Sequence, residues 1–142
     1  MRVDVLNGVN LDVVGRRDPA QYGGVSLDEL ESRIYRWSRE LGLTTRCRQT
    51  NHEGEYVDWC HDALDGTDGL IVNPGAWSHY SYAIRDALEL LDAPVVEVHL
   101  SDVDSREEWR RRSVLDGVSA ARFVGRGPDG YRDALTWFSE RP

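Results

Sequence analysis

No lysine occurs in this chain of 142 residues; all 17 basic side chains are arginine. A lysine Schiff base and a phosphate-loop lysine are therefore excluded. Cysteine is almost as scarce: Cys47 and Cys60 have neither CxxC nor zinc-ligand spacing and read as reduced core thiols. The four histidines are not spaced as metal ligands, so no metal is expected. There is no GxSxG nucleophile elbow, and no glycine-rich phosphate fingerprint follows the first apolar run. No charged and apolar leader precedes Val3, from which a cytoplasmic location is expected. The formal charge of -8 argues against nucleic acid or an anionic membrane as partner, since both need a basic face.

What is present alternates. Val3–Leu6, Leu43–Cys47, Gly69–Val72, Pro94–Leu100 and Ala121–Val124 read as short strands. Between them lie helical patterns: Leu27, Leu30, Ile34, Trp37 and Leu41, opened by a Ser26/Glu29 capping box; Tyr56, Trp59 and Ala63 in a helix from about Glu55 to Leu64; and Ala83, Ile84, Ala87, Leu88 and Leu91, with Ser78 as cap. His79 and Asp86, seven apart, are expected near one line of that helix. Ser105–Arg112 reads as a charged helical segment, and Pro128–Phe138 as a closing helix with Tyr131, Leu135 and Phe138 inward. Gly15–Gly24 is too rich in breakers for helix or strand and reads as a hinged lid carrying Arg17 and Tyr22. His61 reads as a surface or capping imidazole. The expected architecture is α/β: a flavodoxin-like, doubly wound, five-stranded parallel sheet with helices on both faces, as a single domain over 1–142.

Such sheets bind ligands beyond the C-terminal ends of their strands. Asn10, Arg17, Tyr22, Asn73, His79, His99 and Ser101 all fall there. In the run Val95–Asp102, Glu97 and His99 are two apart and so share a face, placing a carboxylate where it can fix an imidazole tautomer. Tyr22 near Arg17 reads as a phenol whose pKa a neighbouring cation lowers, with His99 as the opposing acid. The chemistry left open is metal-free acid and base work on a small polar substrate.

Six ordered blocks extend the pattern: Leu6-Asn7-Gly8-Val9-Asn10-Leu11; Gly15-Arg16-Arg17-Asp18-Pro19 with Tyr22-Gly23; Asn51-His52-Glu53-Gly54-Glu55 with Asp58-Trp59; Asn73-Pro74-Gly75-Ala76-Trp77-Ser78-His79; Ala83-Ile84-Arg85-Asp86-Ala87; and Glu97-Val98-His99-Leu100-Ser101 with Arg106-Glu107. In these the chain resembles the type II 3-dehydroquinate dehydratases nearly end to end. The resemblance implies a trimer-based dodecamer and an anti elimination of water from 3-dehydroquinate to 3-dehydroshikimate through an enolate, without imine, metal or cofactor. That reaction is a step of the shikimate route to aromatic amino acids and also of quinate breakdown. Position by position, the resemblance makes Tyr22 the base, Arg17 its cation, Asn10 a holder of the enolate's water, and His99 the acid oriented by Glu97. It assigns Asn73, His79 and Arg110 to substrate hydroxyls and the Leu100 and Ser101 amides to the carboxylate. Asp86 matches a residue that reaches a neighbouring subunit's site.

The chain departs from the family pattern at several positions. Val9 stands where Pro is usual, Ser101-Asp102 replaces Ser-Asn, Asp104 stands for a His, Arg112-Ser113 for His-Ser, Tyr80 for a small hydroxyl residue, and Trp77 is bulky. Added carboxylates beside an anion site weaken carboxylate binding unless a cation offsets them, which Arg112 could do; with the proton-transfer residues intact, the departures read first as neutral drift. Two alternatives stay open at this level. One is a paralogous hydro-lyase or isomerase acting on another hydroxylated ring acid; the other is a silent binding protein on the same scaffold.

Overall fold

In a computed structural model that describes residues 1–142, strands β1 (Arg2–Asn7), β2 (Thr44–Gln49), β3 (Gly69–Asn73), β4 (Val95–His99) and β5 (Ala121–Val124) form one parallel sheet. Their order is β2-β1-β3-β4-β5. This is the flavodoxin-like order, whose reversal beside β1 opens a crevice at the carboxyl ends of β1 and β3. β3 and β4 are buried at every position, as strands covered on both faces must be, whereas the edge strands β2 and β5 are only partly covered.

Alternation within the strands divides the core in two. Val3, Val5, Ile71, Val96 and Val98 pack against α2 (Leu27–Glu40) and α6 (Asp129–Ser139). Leu6, Leu70, Val72 and Val95 point the other way, against α3 (Glu53–Asp62) and α4 (Tyr82–Glu89). Period two then dictates the rest: Asn7 and Asn73 leave the sheet on the α6 side, and Glu97 and His99 on the α4 side. No helix is long and apolar enough to cross a membrane.

Several local expectations are corrected. Gly15–Gly24 is not free of helix: a 3-10 turn spans Leu11–Arg16, and α1 (Pro19–Tyr22) is a single turn. Asp18 caps that turn by accepting from Ala20 N, proline sits where its missing N–H costs nothing, and Gly23 closes it in the left-handed region at φ 84°. The cap of α4 is Ser81, accepting from Ile84 N at 3.1 Å, while Ser78 lies in a separate 3-10 turn, Gly75–His79. His79 therefore precedes α4 and shares no helical line with Asp86, and Ala83 faces outward. α3 begins at Glu53 rather than Glu55, and its Trp59 is only partly covered. The charged segment holds a 3-10 turn, Val103–Ser105, and the short α5 (Glu108–Arg111). Ser26 does cap α2, accepting from Glu29 N at 3.1 Å. Cys60 is buried and Cys47 half-buried, both as free thiols.

Candidate active site

Two loops at the switch point touch so closely that only glycine fits between them. A Cβ on Gly8 would meet the Pro74 carbonyl at 2.4 Å, and one on Gly75 would meet the Val9 carbonyl at 2.7 Å. Gly8 N donates to Asn73 O at 2.8 Å, fastening the ends of β1 and β3 side by side. Asn10 follows in the left-handed region at φ 71°, the one non-glycine residue there. Asparagine bears that conformation better than most side chains, and Asn51 holds it by accepting from Asn10 N at 2.8 Å. Asn51 is itself held by Asp12 and Gln49.

Above these loops lies a cleft of about 210 Å³. Asn10, Arg17, Tyr22, Asn73, His79, His99, Leu100, Ser101 and Arg110 all line it. Glu97 stands behind His99, accepting from its Nε2 at 2.6 Å. Asp86 does not line the cleft; it borders a shallow groove with Val57 and His61.

The carboxylate of Glu97 is fully buried. Ser113 Oγ donates to both its oxygens, at 2.8 and 3.1 Å, and Arg122 Nε lies 3.9 Å away. Burial alone would raise the Glu97 pKa, but the hydrogen bonds from His99 and Ser113 and the charges of His99 and Arg122 outweigh it. The carboxyl is held below the ordinary glutamate value. A carboxylate only accepts, so His99 Nε2 carries a proton and Nδ1 is the nitrogen left to work in the cleft.

His79 is set differently. Its ring lies nearly parallel to that of His99, with centroids 6.3 Å apart, and the Trp109 ring meets it edge-on at 5.2 Å. Burial lowers its pKa, opposed by the hydrogen bond to the Arg112 carbonyl and reinforced by His99 and Arg110. A neutral ring that donates from Nδ1 to that carbonyl, at 2.7 Å, keeps a lone pair on Nε2. It can therefore accept from a hydroxyl.

On the opposite wall Tyr22 is buried, with the expected cation Arg17 beside it and a second cation for which sequence reasoning has no role. Arg17 lies over the face of the ring, its Cζ 3.9 Å from the centroid. The group at the hydroxyl is Arg106, whose Nη1 donates to Tyr22 Oη at 2.6 Å and to Ser101 Oγ at 3.2 Å. Burial lowers the Arg17 pKa, opposed by Tyr22 and reinforced by the nearby Arg110 and Arg106. As an arginine it stays charged.

Asn73 is anchored from below. Its Nδ2 donates to Tyr131 Oη at 2.9 Å, and Tyr131 in turn donates to Asn7 Oδ1. Arg110 is held by Glu107 and stacks its guanidinium on Trp109, with Cζ 4.1 Å from the ring centroid.

Arg106, Ser113, Tyr131 and Trp109 have no role in the site assigned from sequence, although Arg106 stands in the sixth block, Ser113 among the departures and Tyr131 among the inward residues of the closing helix. Only Arg106, one helical turn before Arg110 in spacing, carried a signal that could have drawn notice. The departures from the family pattern fall outside the cleft. Asp102 and Asp104 are exposed, and the cation that pairs Asp104 is Arg122, at 3.2 Å, not Arg112. Tyr80 and Arg112 border a neighbouring groove, and Trp77 is a core residue against Tyr56.

Comparison with known proteins places this geometry. A family model described as dehydroquinase class II matches residues 1–139. The chain is 49% identical to the 3-dehydroquinate dehydratase of Pelobacter propionicus over 140 residues, covering 98% of this chain and 94% of that one. It is 46% identical to the 3-dehydroquinate dehydratase of Deinococcus radiodurans over 137 residues, covering 96% of each. The crystal structure of the type II dehydroquinase of Propionibacterium acnes superposes with a TM-score of 0.95 at 43% identity, covering 99% of this chain and 97% of that one. The chain belongs to the class II dehydroquinase family.

Proposed function

We propose that this protein is a 3-dehydroquinate dehydratase that eliminates water anti from 3-dehydroquinate to give 3-dehydroshikimate. The observation that carries the mechanism is one cleft with a phenol between two guanidinium groups on one wall and a carboxylate-bound imidazole on the other. Tyr22, as phenolate, takes the proton beside the ketone, and the pair of electrons left behind forms the enolate. Arg106 donating to the oxygen and Arg17 over the ring compensate the phenolate's charge. Asn10 holds the water that hydrogen-bonds the enolate oxygen. As the enolate collapses, the C–O bond breaks and His99 delivers its Nδ1 proton to the departing hydroxyl, leaving a neutral ring on Glu97. A proton returned from Tyr22 to His99 through solvent closes the cycle.

The free lone pair of His79, the amide of Asn73 and the guanidinium of Arg110 suit the ring hydroxyls. The Leu100 and Ser101 amides suit the carboxylate. The acidic departures Asp102 and Asp104 lie off the cleft, and Asp104 has its own cation, which favours 3-dehydroquinate over a different ring acid. A trimer-based dodecamer in the cytoplasm accompanies this reading. Asp86, on a face with exposed Tyr82 and Leu90, is the residue that meets a neighbouring subunit.

The test is the absorbance of the conjugated enone that grows when purified protein meets 3-dehydroquinate. Turnover that disappears in Tyr22→Phe and His99→Asn without loss of fold supports the mechanism. A well-folded wild type that yields no enone sinks it.

A further inference from the structure

Glu97 on β4 and Arg122 on β5 are direct register partners of a parallel pair. Backbone pairing therefore sends both side chains out of the same face of the sheet. Arg122 Nε, buried and without a hydrogen-bond partner, sits 3.9 Å from Glu97 Oε1. Its outer nitrogens grip Asp104, with Nη1 at 3.2 and 3.3 Å and Nη2 at 3.3 Å. The carboxylate behind His99 thus has an imidazole at 2.6 Å on one side and a permanent cation on the other. Neither Arg122 nor Asp104 lines the cleft, and neither has a part in the steps above.

We propose that Arg122 and Asp104 are positioning residues that set how tightly the Glu97–His99 pair holds its proton, with Arg122 loosening it and Asp104 moderating Arg122. The inference rests on His99 acting as the acid. An imidazolium is favoured by the field of its carboxylate, and a second cation on that carboxylate cancels part of the field. Asp104, on the far side of Arg122, restores part of it. The other groups that face the pair are Ser113, which donates to Glu97; His79, stacked on His99 and kept neutral; Arg110 across the cleft; and the buried phenol of Tyr56. Of the charged groups, only Arg122 and Asp104 can be changed without touching the space the substrate occupies. The pair exchanges its proton as a unit, so a change at Glu97 is read at His99.

The experiment follows two readouts across pH in Arg122→Gln, Asp104→Asn and Arg122→Lys. One is kcat/KM for 3-dehydroquinate. The other, free of substrate, is the midpoint of the histidine ring NMR signal that His99→Asn deletes. In Arg122→Gln the pair keeps its proton to higher pH by about one unit, and the alkaline loss of turnover moves the same way. In Asp104→Asn both move down by a smaller amount, and Arg122→Lys, which keeps the charge, stays near wild type. Asp104 is exposed, so its variant reports even if Arg122→Gln fails to fold. Normal turnover with unmoved midpoints in both charge-removing variants overturns the inference and leaves the dehydratase reading intact. A wild type without turnover whose variants still shift the NMR midpoint overturns the dehydratase reading alone.

Discussion

Replacing Arg106 with methionine separates the two guanidinium groups around Tyr22. The side chain is mostly covered, 14% exposed, and makes one charge-assisted hydrogen bond to the phenol oxygen at 2.6 Å and another to Ser101 Oγ at 3.2 Å. Hydrogen bonds with one charged partner are worth about 1.5–3 kcal/mol, and the bond to Tyr22 is strongest to the phenolate that must form before the proton is taken, so its loss makes the active base costlier to reach. At about 1.4 kcal/mol per factor of ten, kcat/KM should fall roughly 10- to 150-fold. Arg17 acts through the ring face instead, where a cation–π contact is worth about 0.5–2 kcal/mol, so Arg17→Met should cost roughly 2- to 30-fold through this contact. Arg106→Lys keeps a charge but not the reach and planar geometry that put Nη1 on both oxygens, and should recover only part of the loss. The assay is the initial rate of enone formation over a range of 3-dehydroquinate concentrations, with circular dichroism as a check of fold. An Arg106→Met enzyme with unchanged kcat/KM, beside a severely impaired Arg17→Met, would refute the assignment and return the phenol's cation to Arg17.

Ser113→Ala should lose about 1.5–3 kcal/mol at neutral pH, since its hydroxyl donates to a buried carboxylate. The folded Glu97 carboxyl lies below its ordinary 4.5, so its contribution is complete above that value and is lost as pH falls below it. Ser113→Ala weakens that lowering, so acid unfolding followed by fluorescence should begin at higher pH than in wild type. Tyr131→Phe strands buried amide groups of Asn7 and Asn73, at about 1–3 kcal/mol, and should lower the urea midpoint. It should also weaken substrate binding, because Asn73 lines the cleft. Burial pushes both thiols up to about 12, with Glu31 adding to the effect at Cys47. A disulfide reagent at pH 8 should label neither within minutes in the native state and both in urea.

Strands and site residues were legible to different depths. β1, β3 and β4 announce themselves because strands covered on both faces must be apolar runs, and the alternation Glu97, His99 settles that the two share a face. The single turn Pro19–Tyr22 escapes a periodicity argument, since four residues cannot show a period, and its signals are one cap and one left-handed glycine. Ser78 and Ser81 are equally good caps by type. The choice between them is made by the turn at Gly75–His79, which forms where Gly75 meets Val9 from another loop. Arg106 reaches Tyr22 across 84 residues and Ser113 reaches Glu97 across 16, so no local pattern joins them. His79 owes its tautomer to a backbone carbonyl, which every residue has and no sequence marks. Asp104 illustrates the converse: its charge was visible, but its partner lies on an edge strand 18 residues on.

The bridge through Tyr131 bears on how and when this protein comes to work. Tyr131 lies in the last helix, yet its hydroxyl joins Asn7 of the first strand to Asn73 of the third at the base of the cleft. While α6 is undocked, as on a chain still emerging from the ribosome, the two asparagines have nothing between them and the cleft lacks its base. The binding site is then among the last features to mature, after every strand of the sheet has been made. Recovered turnover in a refolding experiment counts only molecules whose final helix has docked, so activity lags the return of strand and helix signals.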